Sequence, residues 1–268
     1  MSLRATILGT VCVVAAAAFA ASPALADFNG TLQGDYSNLS SNQGGGSANV
    51  WGGQGTGEFG LGMGGLSAQV DTGYHDATAS GGGGSLNDWN IDGDLFWLGS
   101  MGRIGAAVGY QDLSGDGVSG HLTNYGGFAE WYAGHWLTIG VKGGGLDASA
   151  GFGGGSGSSS GSYIGGEALV YPMHDFALSG TIDYFSISSG GNLTNYGVNA
   201  EWLVSETMPV SVYGGYTRTE ISDGGGGLNT WMIGVKLYLN GNGATTLEDR
   251  QRSGTVGWAA QVPQIFNF

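Results

Sequence analysis

The sequence predicts an all-β fold, an antiparallel up-and-down β-barrel of twelve strands, and three observations point to it. Segments of about ten residues alternate apolar and polar with period 2, as strands with one oily and one wetter face do. The alternation comes in units: Trp89, Tyr125, Tyr163, Tyr196 and Trp231 open successive repeats at spacings of 36, 38, 33 and 35 residues, and the phrase Leu122-Thr-Asn-Tyr-Gly with Glu130-Trp131 returns as Leu193-Thr-Asn-Tyr-Gly with Glu201-Trp202. One two-stranded hairpin per unit fits those spacings. The third observation is an export segment at residues 1–26: Arg4 ahead of the apolar run Ile7 to Ala21, then the small-x-small site Ala24-Leu-Ala26.

Removing that segment takes away Arg4 and the single cysteine, Cys12, so neither a disulfide framework nor a cysteine-based metal site is expected. All 21 acidic residues lie beyond it, and the formal net charge of the whole chain is already −14, which argues against nucleic-acid partners and against electrostatic binding to anionic headgroups. No later stretch is apolar enough for a membrane helix. A closed barrel is the other backbone arrangement that satisfies every N–H and C=O inside lipid, so an exported chain of alternating strands is expected to span a membrane in that form.

Strands are expected at 28–38, 49–61, 66–76, 87–97, 103–113, 122–132, 137–148, 161–171, 176–187, 193–204, 210–221 and 228–239. Each is long enough for a tilted crossing, which needs about 9–11 residues. The first strand runs from Phe28 to Tyr36, and the second descends to Glu58-Phe59. The third carries Leu66, Ala68 and Val70 on its oily face and reaches Tyr74; the fourth starts at Trp89 and ends near Trp97. Ile104, Ala106 and Val108 mark the fifth, which ends at Tyr110, and Tyr125 to Trp131 mark the sixth. The seventh and eighth flank the Ser/Gly segment Ser149 to Ser160, the ninth ends near Tyr184, and the tenth repeats the sixth from Tyr196 to Trp202. The eleventh reaches Tyr216, and the twelfth alternates Trp231, Ile233, Val235, Leu237 and Leu239.

The connections alternate between Gly/Ser-rich, mostly long segments and tight turns, so twelve strands put the long set outside and both barrel ends inside. Residues 27–239 then form the barrel, and 240–268 a periplasmic tail, with a plug or a terminal strand as alternatives. Two aromatic rows bracket the apolar band, as amphipathic rings favouring the headgroup level do. Tyr36, Tyr74, Tyr110, Trp89, Tyr125, Tyr196 and Trp231 belong to the outer row, and Phe59, Trp131 and Trp202 to the inner.

On inward parity, Glu58, Asp94, Glu130, Glu167, Glu201 and Lys236 fall at nearly one height, with Arg103 and Lys142 also pointing in. Glu167 shares parity with Tyr163, so it faces inward only if Ile164 is that strand's outward anchor. Carboxylate rings are how pores select cations, whereas the same residues locked to one another make a wall without a channel. Inward glycines such as Gly52, Gly105, Gly126, Gly144, Gly197, Gly215 and Gly234 fill nothing. With a backbone radius of roughly 12 Å for twelve strands, an aqueous core is expected unless the tail or the Ser149–Ser160 segment plugs it.

With these residues in view, the chain resembles a Gram-negative outer-membrane β-barrel of the porin-like class. Met232-Ile-Gly234-Val-Lys-Leu237-Tyr-Leu239 is similar to the assembly signal on the last strand of such proteins, and Phe266-Asn-Phe268 resembles their aromatic-x-Phe ending. The resemblance implies residence in the cell outer membrane, contact with outer-membrane lipid and the barrel-assembly machinery, and passage of small hydrophilic solutes or cations without cofactor or metal. A closed structural barrel is the alternative. A twelve-stranded outer-membrane phospholipase is a third reading; it would need a Ser and a His together on the lipid side. His75, His121, His135 and His174 read instead as solvated residues at the rims and turns. Gly55-Thr-Gly57-Glu-Phe-Gly60 matches a dinucleotide fingerprint in letters only, since it lies within a strand pattern with no helix after it.

Overall fold

The structure is a computed structural model that describes residues 28–42, 46–80, 84–152, 155–188, 191–205, 209–222, 226–239 and 244–253. The expected export segment and the ending at Phe266 and Phe268 lie outside these residues. Twelve antiparallel strands follow one another around a closed barrel. They are β1 (Phe28–Ser41), β2 (Ser47–Gly60), β3 (Leu66–Ala79), β4 (Ser85–Gly99), β5 (Gly102–Gly115), β6 (Val118–Ala133), β7 (Leu137–Phe152), β8 (Gly155–Met173), β9 (Phe176–Ile187), β10 (Gly191–Ser205), β11 (Val210–Ile221) and β12 (Gly227–Tyr238), and a helix α1 (Leu247–Arg252) comes after them.

Closure is between β1 and β12, from Thr31 opposite Tyr238 to Ser41 opposite Leu228. Both edges of β12 are therefore occupied, by β11 on one side and β1 on the other, and no edge is left to take a further strand.

The barrel is apolar outside and largely polar inside, with buried apolar clusters at Phe96 with Phe128 and at Leu122 with Leu146, Tyr163 and Phe185. Ile104, Ile164 and Ile233 are 65, 64 and 58 % exposed, whereas Gln69 and Asn90 are 1 % exposed and Glu58 and Arg103 are buried. In water this exterior would be one continuous apolar patch, which soluble monomers avoid. In lipid it is the favoured solvent contact, and closure gives every strand a hydrogen-bonded neighbour on both sides.

The Gly/Ser-rich connections are built largely as continuations of the ladder. β7 and β8 stay paired as far as Phe152 opposite Gly155, so the described residues of the Ser149–Ser160 segment extend the hairpin and do not border the lumen cavity. β5 and β6 pair to Gly115 opposite Val118, leaving Asp116-Gly117, with Gly117 at φ +77°, the pairing favoured by two-residue hairpins. At the other end the turns are short, and the ladder irregularity between Val170 and Met173 falls where Pro172 has no N–H to donate.

Candidate pore lining

Inward glycines are not empty positions. Most face a larger side chain directly across the ladder: Gly52 faces His75, Gly105 faces Phe96 and Phe128, Gly144 faces Tyr163, Gly197 faces Thr181, Gly215 faces Asn199 and Gly234 faces Tyr213. A Cβ added at Gly234 would lie 2.4 Å from the Tyr213 ring, and one at Gly126 2.3 Å from the Tyr163 hydroxyl. The wall thus alternates large against small, the arrangement by which facing positions interdigitate. Tyr163 is accordingly an inward residue, packed with Leu122, Leu146 and Phe185, and not a member of the outer aromatic row. Ile164 takes the lipid side and Glu167 borders the lumen.

Carboxylates of the expected belt fall into two groups. Glu130 on β6 and Glu201 on β10 are tied down, whereas Glu167 on β8 borders the lumen without a hydrogen bond or ion pair among the described residues. Arg103 Nε donates to Glu130 Oε2 at 2.7 Å with both side chains buried. Glu201 accepts from Lys236 Nζ at 3.0 Å, from Ser211 Oγ at 2.6 Å and from the Tyr238 hydroxyl at 2.5 Å. Lys142 lies 3.5 Å from Asp183 on β9, an acid outside the expected belt. Asp94 belongs to the other group, on β3 and β4. There Asp71 stands directly opposite Asp92, and Gln69 opposite Asp94. Asp71 accepts from Thr56 Oγ1 at 2.5 Å and Gln69 Nε2 at 2.8 Å, and Asp92 from Asn90 Nδ2 at 2.8 Å. Asp94 is buried with neither oxygen meeting a donor among the described residues. Glu58 of β2 accepts from Asn29 Nδ2 at 3.1 Å.

His75 is not a solvated rim residue. It lies within the lumen, 3.6 Å from Asp88 and 4.0 Å from Asp35, with 15 % of its side chain exposed. His121 also departs from expectation: it faces outward across the ladder from Ser149, whose Oγ is 2.9 Å from Nδ1, so one Ser and one His do share an outer face. Among the described residues His121 has no ion pair. His135 and His174 are exposed in turns.

Trp89, Tyr125, Tyr196, Trp231, Trp131 and Trp202 project outward, while Tyr36, Tyr74, Tyr110 and Phe59 are half-buried against neighbours. Trp51, which the sequence reading passed over, joins them and packs on Tyr36 at 4.7 Å. Its signal was legible: Asn49-Val-Trp51, Asn87-Asp-Trp89 and Asn229-Thr-Trp231 repeat one another. In each hairpin a tyrosine thirteen residues earlier donates its hydroxyl to the asparagine: Tyr36 to Asn49 at 2.8 Å, Tyr74 to Asn87 at 2.8 Å and Tyr216 to Asn229 at 2.7 Å.

Within the barrel lies a cavity of about 320 Å³, bordered by Asp35, Asp71 and His75 and by Arg103, Lys142 and Lys236. Because about 10–15 Å³ suffices for one water on such a measure, the space admits many waters or a small hydrated solute. Gln251 and Arg252 of α1 also border it.

The fold and its inside-out construction define the class: this is a transmembrane β-barrel with the architecture of outer-membrane proteins. Neither a protein-family model nor a curated protein matches the chain. Among solved structures it is similar to an outer-membrane channel from Pseudomonas putida F1, with 11 % identity over 81 % of this chain and 97 % of that one and a TM-score of 0.54. It is also similar to the translocator domain of the autotransporter NalP from Neisseria meningitidis, with 14 % identity over 87 % of this chain and 95 % of that one and a TM-score of 0.52. A third is the β domain of the Bordetella autotransporter BrkA, with 10 % identity over 79 % of this chain and 99 % of that one and a TM-score of 0.50. At such identities the likeness is one of fold.

Proposed function

We propose that this protein is an outer-membrane channel that passes small hydrophilic solutes passively and favours cations. Both barrel ends lie at the short-turn end, which faces the periplasm, and residues 240–268 continue there as a tail. The barrel meets outer-membrane lipid through its apolar belt and reaches the membrane through the assembly machinery that inserts such proteins.

The observation that carries this reading is the polar cavity bordered by carboxylates without basic partners. Asp71 borders the lumen and faces Asp92 across the ladder, while its donors are the neutral Thr56 and Gln69. Acids on a lumen wall with no base beside them in a low-dielectric surround favour an entering cation over an anion. In Glu130 and Glu201 the same charge is answered by Arg103 and Lys236. The decisive experiment is planar-bilayer conductance of the refolded protein with a reversal potential in a salt gradient. Cation-directed reversal supports the proposal; a folded barrel that is silent under every condition would leave the closed structural barrel as the better reading.

A lipid-acting enzyme remains the third reading because Ser149 and His121 touch on the outer face. A serine nucleophile needs its histidine oriented by a third group, and the described ion pairs contain none for His121. A phospholipid-hydrolysis assay on refolded protein separates this reading from the first two.

A further inference from the structure

We infer that α1 is a detachable plug, latched at its two ends to the periplasmic turns of the barrel, and that its release sets the conductance of the channel. This rests on the pore reading above.

Six residues are too few for a helix to persist alone, since isolated helices below about 12–15 residues are marginal in water. Local sequence helps: Thr246 caps the first turn by accepting from the Asp249 N–H at 3.0 Å, Glu248 and Asp249 begin the helix, and Arg250 and Arg252 end it. Charges so placed complement the helix dipole by a fraction of a kcal/mol each. Contacts with the barrel supply the rest.

At the first end Leu247 is fully buried among Tyr171, Ala177, Leu203 and Tyr238, and its N–H donates to the His174 carbonyl in the β8–β9 turn at 2.8 Å. At the other end the Arg252 guanidinium enters a cradle on the β6–β7 turn. It donates to the Gly134 carbonyl at 2.6 Å, the Leu137 carbonyl at 2.7 Å and Thr138 Oγ1 at 3.1 Å, with the rings of Tyr132 and Tyr171 about its plane at 4.9 and 5.3 Å.

A helix C-terminus leaves carbonyls without partners, and here the barrel wall provides them. Arg103 donates to the Gln251 carbonyl at 2.6 Å, Tyr132 to that of Arg252 at 3.3 Å and Asn29 to that of Ser253 at 3.1 Å. These donors come from β5, β6 and β1, so the segment spans the mouth and does not rest on one rim. Gln251 Nε2 also donates to Glu201 at 3.2 Å. The latch consists of hydrogen bonds, a contact of 3.3 Å between Glu248 Oε1 and His135 Nδ1 in the β6–β7 turn, and one small apolar socket, all of which water can replace, whereas the ladder between β1 and β12 closes without α1.

The test uses the full chain. Asn29→Cys with Ser253→Cys places two thiols where the side chain of one residue now meets the backbone of the other; the only native cysteine, Cys12, lies in the export segment. Bridging the pair with a short, reducible bifunctional thiol reagent should lower single-channel conductance or open probability several-fold, and reduction should restore it in the same bilayer. Arg252→Ala should raise open probability several-fold over the unsubstituted chain, with an unchanged heat-modifiable band reporting an intact barrel. Equal conductance in the bridged and reduced states would overturn the plug and leave the pore standing. Silence in every state, Arg252→Ala included, would overturn the pore reading and the plug with it.

Discussion

Two walls of one barrel carry the same kinds of residue to different ends. On β5–β12 two acids of the belt meet a base, Glu130 with Arg103 and Glu201 with Lys236, and beside them Lys142 pairs with Asp183, while Glu167 borders the lumen without such a partner among the described residues. On β3–β4 Asp71, Asp92 and Asp94 sit among Thr, Gln and Asn. The first wall is bound to itself at Glu130 and Glu201; the second presents acids whose hydrogen-bond donors are neutral side chains. Rows of inward acids therefore do not make a cation filter by themselves. What decides is whether the neighbouring strand brings a cation of its own.

The largest expected effect breaks the paired wall. Arg103→Ala removes the partner of a buried carboxylate and should cost about 3–5 kcal/mol, read from urea unfolding of the detergent-refolded barrel. A loss below about 1 kcal/mol would mean that water already solvates Glu130, and the contrast between the walls would weaken.

Next comes the large-against-small packing of the same wall. Gly234→Ala places a methyl against the Tyr213 ring and should cost about 1–3 kcal/mol, as overpacking does. Gly93→Ala, whose Cβ meets nothing within 4 Å, is the control and should leave the unfolding midpoint unchanged.

Neutralising the acidic wall should do the opposite to stability. Asp71→Asn removes a like charge placed directly opposite Asp92, so stability should hold or rise by about 0.2–1 kcal/mol, while the reversal potential moves toward zero. Glu130→Gln with Glu201→Gln should move it less. Equal shifts from the two walls would abolish the distinction drawn between them.

Smallest of all is the outer face: Ser149→Ala should alter neither conductance nor stability by more than about 0.5 kcal/mol, the usual bound for surface changes. If the refolded protein hydrolyses phospholipid and Ser149→Ala abolishes that activity, the enzyme reading replaces the channel.

Strand number, strand order and the lipid-facing residues were determined by the sequence alone, because the pleat has period 2 and aromatic residues gather at interfaces whatever the partner strand is. Val70, Val108 and Ile233 could be assigned outward from local parity, and so could the inward turn of Glu58, Glu130 and Lys236. Asp71 and Asp92 were legible by the same rule, since they share parity with Gln69 and Asp94, but the repeat in the aromatic residues drew attention to a single height. Tyr163 was misplaced for a related reason: in spacing it resembles Tyr125 and Tyr196, yet it turns inward over Gly126 and Gly144. Partner choice was decided only by the tertiary structure. Lys142 reaches Asp183 two strands away, His75 lies across Gly52 between two acids, and a six-residue segment far along the chain fits against turns that follow β6 and β8. Such meetings depend on register, shear and closure, which relate residues tens to hundreds of positions apart and leave no local period in the chain.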